Sequence, residues 1–178
     1  MKTKIRFYTI CAAMICMILG SSTAFSDPSG NTFTSPTKSF SITFPSDWEV
    51  RKAFMGTEVA AIRPNVTQQD RFGENVNVAV DDFKSPMTLD AYYAASMQGM
   101  GQYLHNFKVL AKGNTVINGH QALWIIYQHQ YNGLDLKVLA YLLVGPEHGY
   151  VITCTSTPSR FEQWHSTFQR IAGTFRLD

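Results

Sequence analysis

In "SFSITFP", Phe40, Ile42 and Phe44 alternate with Ser39, Ser41 and Thr43, the two-residue period of a strand with one apolar and one polar face. Pro45 closes that run. "SDWEV" leads to a second short strand around "TEVAAIR" and, past the loop "PNVTQQDRFGEN", to a third, "VNVAVDDF". The period then changes. In "SPMTLDAYYAASMQGMGQYL", Leu89, Tyr92/Tyr93, Met97, Met100 and Leu104 recur every three or four residues, predicting an amphipathic helix with Ser85 as N-cap and Pro86 at its first position. Gly99 and Gly101 weaken its end.

Four more strands follow, "KVLAKGNTVI", "QALWIIYQHQY", "LDLKVLAYLLV" and "YVITCTST", joined by Asn118-Gly119, Asn132-Gly133 and "GPEHG". Two-residue Asn-Gly loops favour type I′ turns, whose twist suits antiparallel strands, so this half reads as a meander. With Asn132 and Gly133 as the loop, Tyr131 faces Leu134, Gln130 faces Asp135, His129 faces Leu136, Gln128 faces Lys137 and Tyr127 faces Val138. One face near the turn is then wet, carrying Gln128, Gln130, Asp135 and Lys137. The other carries Tyr127, Tyr131, Leu134, Leu136 and Val138 with His129 among them. Further from the turn Trp124, Ile126, Leu139 and Tyr141 join the wet face, so the ribbon becomes apolar on both sides and needs cover on both. A second helix, "PSRFEQWHSTFQRIAGTF", is available: Ser159 and Glu162 have capping-box spacing, and Phe161, Trp164, Phe168, Ile171 and Phe175 form a stripe. The expected fold is α+β, an α/β/α sandwich: a mainly antiparallel sheet of about six to seven strands with helices on both faces, in the order βββ-α-ββββ-α.

The ends change the picture of location and charge. Residues 1–26 read as a signal peptide, with Lys2, Lys4 and Arg6, the apolar "FYTICAAMICMIL", then small and polar "GSSTAFS". That apolar run is short for a spanning helix, which takes about 20 residues; export with cleavage is preferred to an uncleaved anchor, and the mature chain carries no integral membrane segment. Residues 27–38, "DPSGNTFTSPTK", read as a flexible leader, and 39–178 as a single domain. Removing the signal takes Cys11 and Cys16, leaving Cys154 alone with no internal disulfide to form. It also takes three of the 15 Lys and Arg, leaving 12 against 13 Asp and Glu. A near-neutral product has no electrostatic case for nucleic acid. The expected destination is the periplasm or the extracellular space.

The stretches "FSITFPSDWEV", "MTLDAYY" after "VNVAVDDF", "TVINGHQALWIIYQ", "KVLAYLLVGPEHGYVITCTS" and "FEQWHSTFQRIAGTFRL", in that order over about residues 38–178, resemble the PsbP-like family. Its fold is shared with a Ran-binding regulator of nuclear transport and with bacterial exported proteins related to DcrB. The resemblance implies an antiparallel sheet between helices and a role in docking onto protein partners. It carries over no catalytic residue and no cofactor.

Candidate chemistry is sparse. Cys154 shares a strand face with Tyr150 and Ile152, a position that buries cysteine as a small apolar residue. His105, His120, His129, His148 and His165 show no metal-ligand spacing. Asp81 and Asp82, with Glu74 upstream, are adjacent on a strand and point to opposite faces. "GMGQYL" half-matches a dinucleotide loop but lies within a helical pattern. No G-x-S-x-G, H-E-x-x-H or Walker pattern occurs. The reading is a non-enzymatic exported domain docking on an unknown protein partner, with Tyr127, His129, Tyr131 and Leu134 as the contact patch. The alternative is a carrier of a small amphiphile or lipid, held between the sheet and the first helix by Tyr93, Met97 and Met100. A thiol or metal enzyme ranks third.

Overall fold

The computed structural model describes residues 30–64 and 72–178; the expected signal peptide, residues 1–26, lies outside them. Seven strands form the main antiparallel sheet. In chain order these are β3 (Glu49–Lys52), β4 (Val59–Ile62), β5 (Asn75–Asp82), β6 (His105–Ile117), β7 (His120–Tyr131), β8 (Leu134–Val144) and β9 (His148–Ser156), arranged β3-β4-β5-β9-β8-β7-β6. The meander β6 to β9 follows from its turns. Asn118, Gly119, Asn132 and Gly133 all have positive φ, from 46° to 87°, as type I′ geometry requires. The β7–β8 register is the one the Asn132-Gly133 loop dictates, from Tyr131 opposite Leu134 to Trp124 opposite Tyr141.

Helix α1 (Leu89–Tyr103) carries the chain from β5 to the far edge at β6, and α2 (Phe161–Gly173) follows β9. Strand parity puts them on opposite faces. Val138, Ala140 and Leu142 pack with Tyr92 and Met100 of α1, whereas Leu139, Tyr141 and Leu143 pack with Phe161, Phe168 and Ile171 of α2. The expected α+β sandwich with its doubly covered sheet is therefore present.

Several local expectations are corrected. The order is βββββ-α-ββββ-α with a short closing strand, because β1 (Asn31–Thr34), β2 (Phe40–Phe44) and β10 (Arg176–Leu177) form a separate three-stranded sheet, β1-β2-β10. The alternation in "SFSITF" does mark a strand, but its Phe40, Ile42 and Phe44 pack beside α2. Part of the expected flexible leader is thus β1, registered on β2 from Asn31 opposite Phe44 to Thr34 opposite Ser41, with Phe33 buried against Phe40.

Helix α1 starts later than Ser85-Pro86 suggests: Thr88 is its N-cap, accepting from the Ala91 amide at 3.2 Å. Its buried stripe runs through Tyr92, Ser96, Gly99 and Met100, so small residues bring the helix close to the sheet. Helix α2 has Arg160 at its N-cap with no side-chain cap bond. Ser159 instead faces Thr157, and Glu162 pairs with Lys137 at 2.9 Å.

Candidate functional site

The open end of the β7–β8 hairpin is built by cross-strand register. Lys108, Gln128, Lys137 and Ser156 stand in one row across β6, β7, β8 and β9. The row nearer the turn holds Gln130 opposite Asp135. Gln130 organises it: Oε1 accepts from Asn106 Nδ2 at 2.8 Å and lies 3.2 Å from His105 Nδ1, while Nε2 donates to Asp135 Oδ1 at 2.7 Å. A cavity of about 360 Å³ opens here, lined by Asn106, Lys108, Gln128, Gln130 and Asp135, with His129 behind and Pro158, before α2, across from them. Its walls are amides and one charge of each sign, a surface suited to hydrogen bonding. Its lining residues include no hydroxyl or thiol.

Strand β6 runs from this cavity as the outer edge of the sheet. Among the described strands none pairs with its outward side. It is 13 residues long and mostly exposed, with Val109 38%, Leu110 42% and Val116 56% accessible. Natural edges are usually short or covered, because unpaired backbone groups recruit other strands. This edge carries register shifts between His105 and Lys108 and between Val109 and Ala111.

The residues expected to form a contact patch do not make an exposed one. Tyr127 and His129 are buried, and Tyr131 and Leu134 are half-buried over Phe72 and Leu136. The His129 Nδ1 lies 3.3 Å from the Gln130 carbonyl, and burial holds the imidazole below its ordinary pKa. Tyr93, Met97 and Met100 belong to the packed layer between α1 and the sheet, with Met100 fully enclosed. The face of the hairpin end that borders the cavity is its wet one, extended by Asn106 and Lys108. Those two escape a reading from the Asn118-Gly119 turn. Counting back without a bulge puts Lys108 opposite His129, and a one-residue shift moves it to the other face, opposite Gln128.

Other titratable groups are committed to structure. Cys154 is fully buried, which pushes its thiol far above the usual range. Asp81 and Asp82 diverge as adjacent strand residues must. Burial raises the Asp81 carboxyl, which accepts the Tyr92 hydroxyl at 2.8 Å, while Lys38 holds Asp82 below its ordinary value on the other side. Glu74 is fully buried, bound by Arg63, by Arg160 at 3.2 Å and by the Ser156 hydroxyl at 3.1 Å. Among the described residues no cluster of His, Cys, Asp and Glu has metal-binding geometry, and no helix is long and apolar enough to cross a membrane.

No family model matches the chain, and no curated protein matches it in sequence. Its shape does have counterparts. Cyanobacterial PsbP (CyanoP) from Synechocystis superposes with a TM-score of 0.64 at 14% identity, over 90% of this chain and 99% of that one. The chain has the Mog1/PsbP-like fold. LpqN of Mycobacterium tuberculosis, described as involved in cell envelope biogenesis, gives 0.60 at 12% identity over 85% of this chain and 86% of its own. The Saccharomyces cerevisiae Ran-binding protein Mog1p gives 0.50 at 9% identity, over 83% and 95%. Across these Mog1/PsbP-like structures the likeness is one of fold.

Proposed function

We propose that this chain is an exported, non-enzymatic Mog1/PsbP-like adaptor that docks a protein partner along the outer edge of β6. The observation that carries the reading is the long β6, whose outward side no described strand pairs, with its exposed valines and leucine, continuous with the hairpin-end cavity. Backbone groups on such an edge supply affinity, and adjoining pockets supply specificity. The buried thiol and the divergent aspartates support a surface role rather than a chemical one. Export is supported by the signal-like pattern of residues 1–26.

A photo-crosslinking residue placed at Leu110 in the native host should capture a discrete protein, whereas one at exposed Met55, outside β6, should not. Capture from Met55 alone, or from neither position, rejects docking at this edge. Fractionation should find the chain outside the cytoplasm and starting beyond residue 26; a cytoplasmic, full-length product refutes export.

A further inference from the structure

The β6 edge also states the chemistry of its partner, an inference that rests on the docking reading. From His105 to Tyr131, β6 and β7 carry Lys108, Lys112 and three histidines, and neither Asp nor Glu. Lys108 is exposed, and among the described residues no carboxylate holds it. Register puts Lys108 on the α2 face, opposite Gln128, and Lys112 on the α1 face, opposite Ile125, where it lies 5.0 Å from the Tyr93 ring. Each face of an added strand would therefore meet one cation.

A second copy of the chain fits this edge poorly. Pairing two β6 strands would gather Lys108 and Lys112 of both copies along one seam, with no Asp or Glu on either strand to offset them. The lysines and bulges that turn away a flat or cationic strand leave an acidic one favoured. Next along the α2 face, Gly113 supplies a floor of a different kind. A side-chain carbon there would come within 2.7 Å of the Trp124 ring, so the indole lies across the strand where a larger residue would stand. Trp124 is only half-buried, leaving apolar surface beside the edge.

We infer that the occupant is an extended acidic segment of a partner protein. It adds to β6 as a further strand, sets carboxylates against Lys108 and Lys112, and rests an apolar side chain on Trp124 beside Gly113.

The probe is a short capped peptide alternating valine with threonine and carrying two aspartates, compared with the same peptide carrying two lysines. The acidic peptide should slow hydrogen exchange of the β6 amides and bind at least about tenfold more tightly than the lysine peptide. The advantage should shrink with added salt. It should be lost in the K108E/K112E double variant and reduced in K108Q/K112Q; both positions are exposed, and unchanged exchange in β8 and β9 checks the fold. Equal binding of the two peptides, protection away from β6, or full affinity in K108E/K112E overturns the inference. So does concentration-dependent self-association through β6. If the Leu110 crosslinker captures a partner while the acidic peptide shows no preference, docking stands and the acidic strand falls; if Leu110 captures nothing, docking itself falls.

Discussion

Glu74 shows how one side chain organises a corner of the molecule. It is enclosed after the β4–β5 connection, yet its two oxygens serve Arg63, Arg160 and Ser156, tying that connection to the end of β9 and the start of α2. Removing one member of a buried ionic group leaves the others uncompensated. Arg63 and Arg160 keep some solvent contact, which moderates the penalty. Glu74→Ala should lower the unfolding free energy by about 2–4 kcal/mol in urea titration; a loss below about 0.5 kcal/mol would show that the group is idle.

His129 makes a prediction in pH. Its folded pKa is depressed by burial from 6.5, so in mildly acidic solution the unfolded chain binds a proton that the folded chain resists. Stability is therefore full above about pH 6.5 and falls as the pH drops through the folded value. Asp81, raised by burial, acts oppositely at lower pH, because its folded carboxyl accepts a proton first. Denaturant midpoints across this range should fall for the native chain and stay flatter for H129N. Parallel curves would remove His129 as the cause.

At the scale of elements, turn residues specified more than cap patterns did. Asn132-Gly133 determined the pairing of β7 with β8 residue by residue, since both positions reach positive φ at little steric cost. Ser85-Pro86 and Ser159 misled because a cap is defined by which hydroxyl meets an open amide once the helix is docked, and several serines and threonines near each start match the same local spacing. The contrast is testable: Thr88→Ala should cost about 1 kcal/mol and Ser85→Ala under about 0.5 kcal/mol in thermal or chemical unfolding. The reverse order would return the helix start to Ser85.

For the whole molecule, the seven-stranded sheet and its two covering helices were legible because a ribbon apolar on both faces has to be buried on both. What the amino-acid pattern did not carry was the partnership of distant pieces. β1 and β10 offer little local signal, "NTFT" and two residues after α2, and become strands only because β2 lies between them. At the candidate site Gln128, Gln130 and Asp135 were legible as a wet face, whereas Lys108 was hidden behind the β6 bulge. Phe33→Ala tests the small sheet. If β1 is integral, losing that buried ring should cost about 3 kcal/mol, and a leader without structure would show no change in the denaturant midpoint.

The Asn118 side chain donates to the Gly173 carbonyl at 3.0 Å and the Phe175 carbonyl at 2.6 Å, fastening the β6–β7 turn to the tail of α2. The two Asn-Gly corners, twins in composition, are consequently unequal as places to splice in foreign sequence. Lengthening the one at 132–133 leaves that latch alone, while lengthening the one at 118–119 unhooks the chain's last stretch.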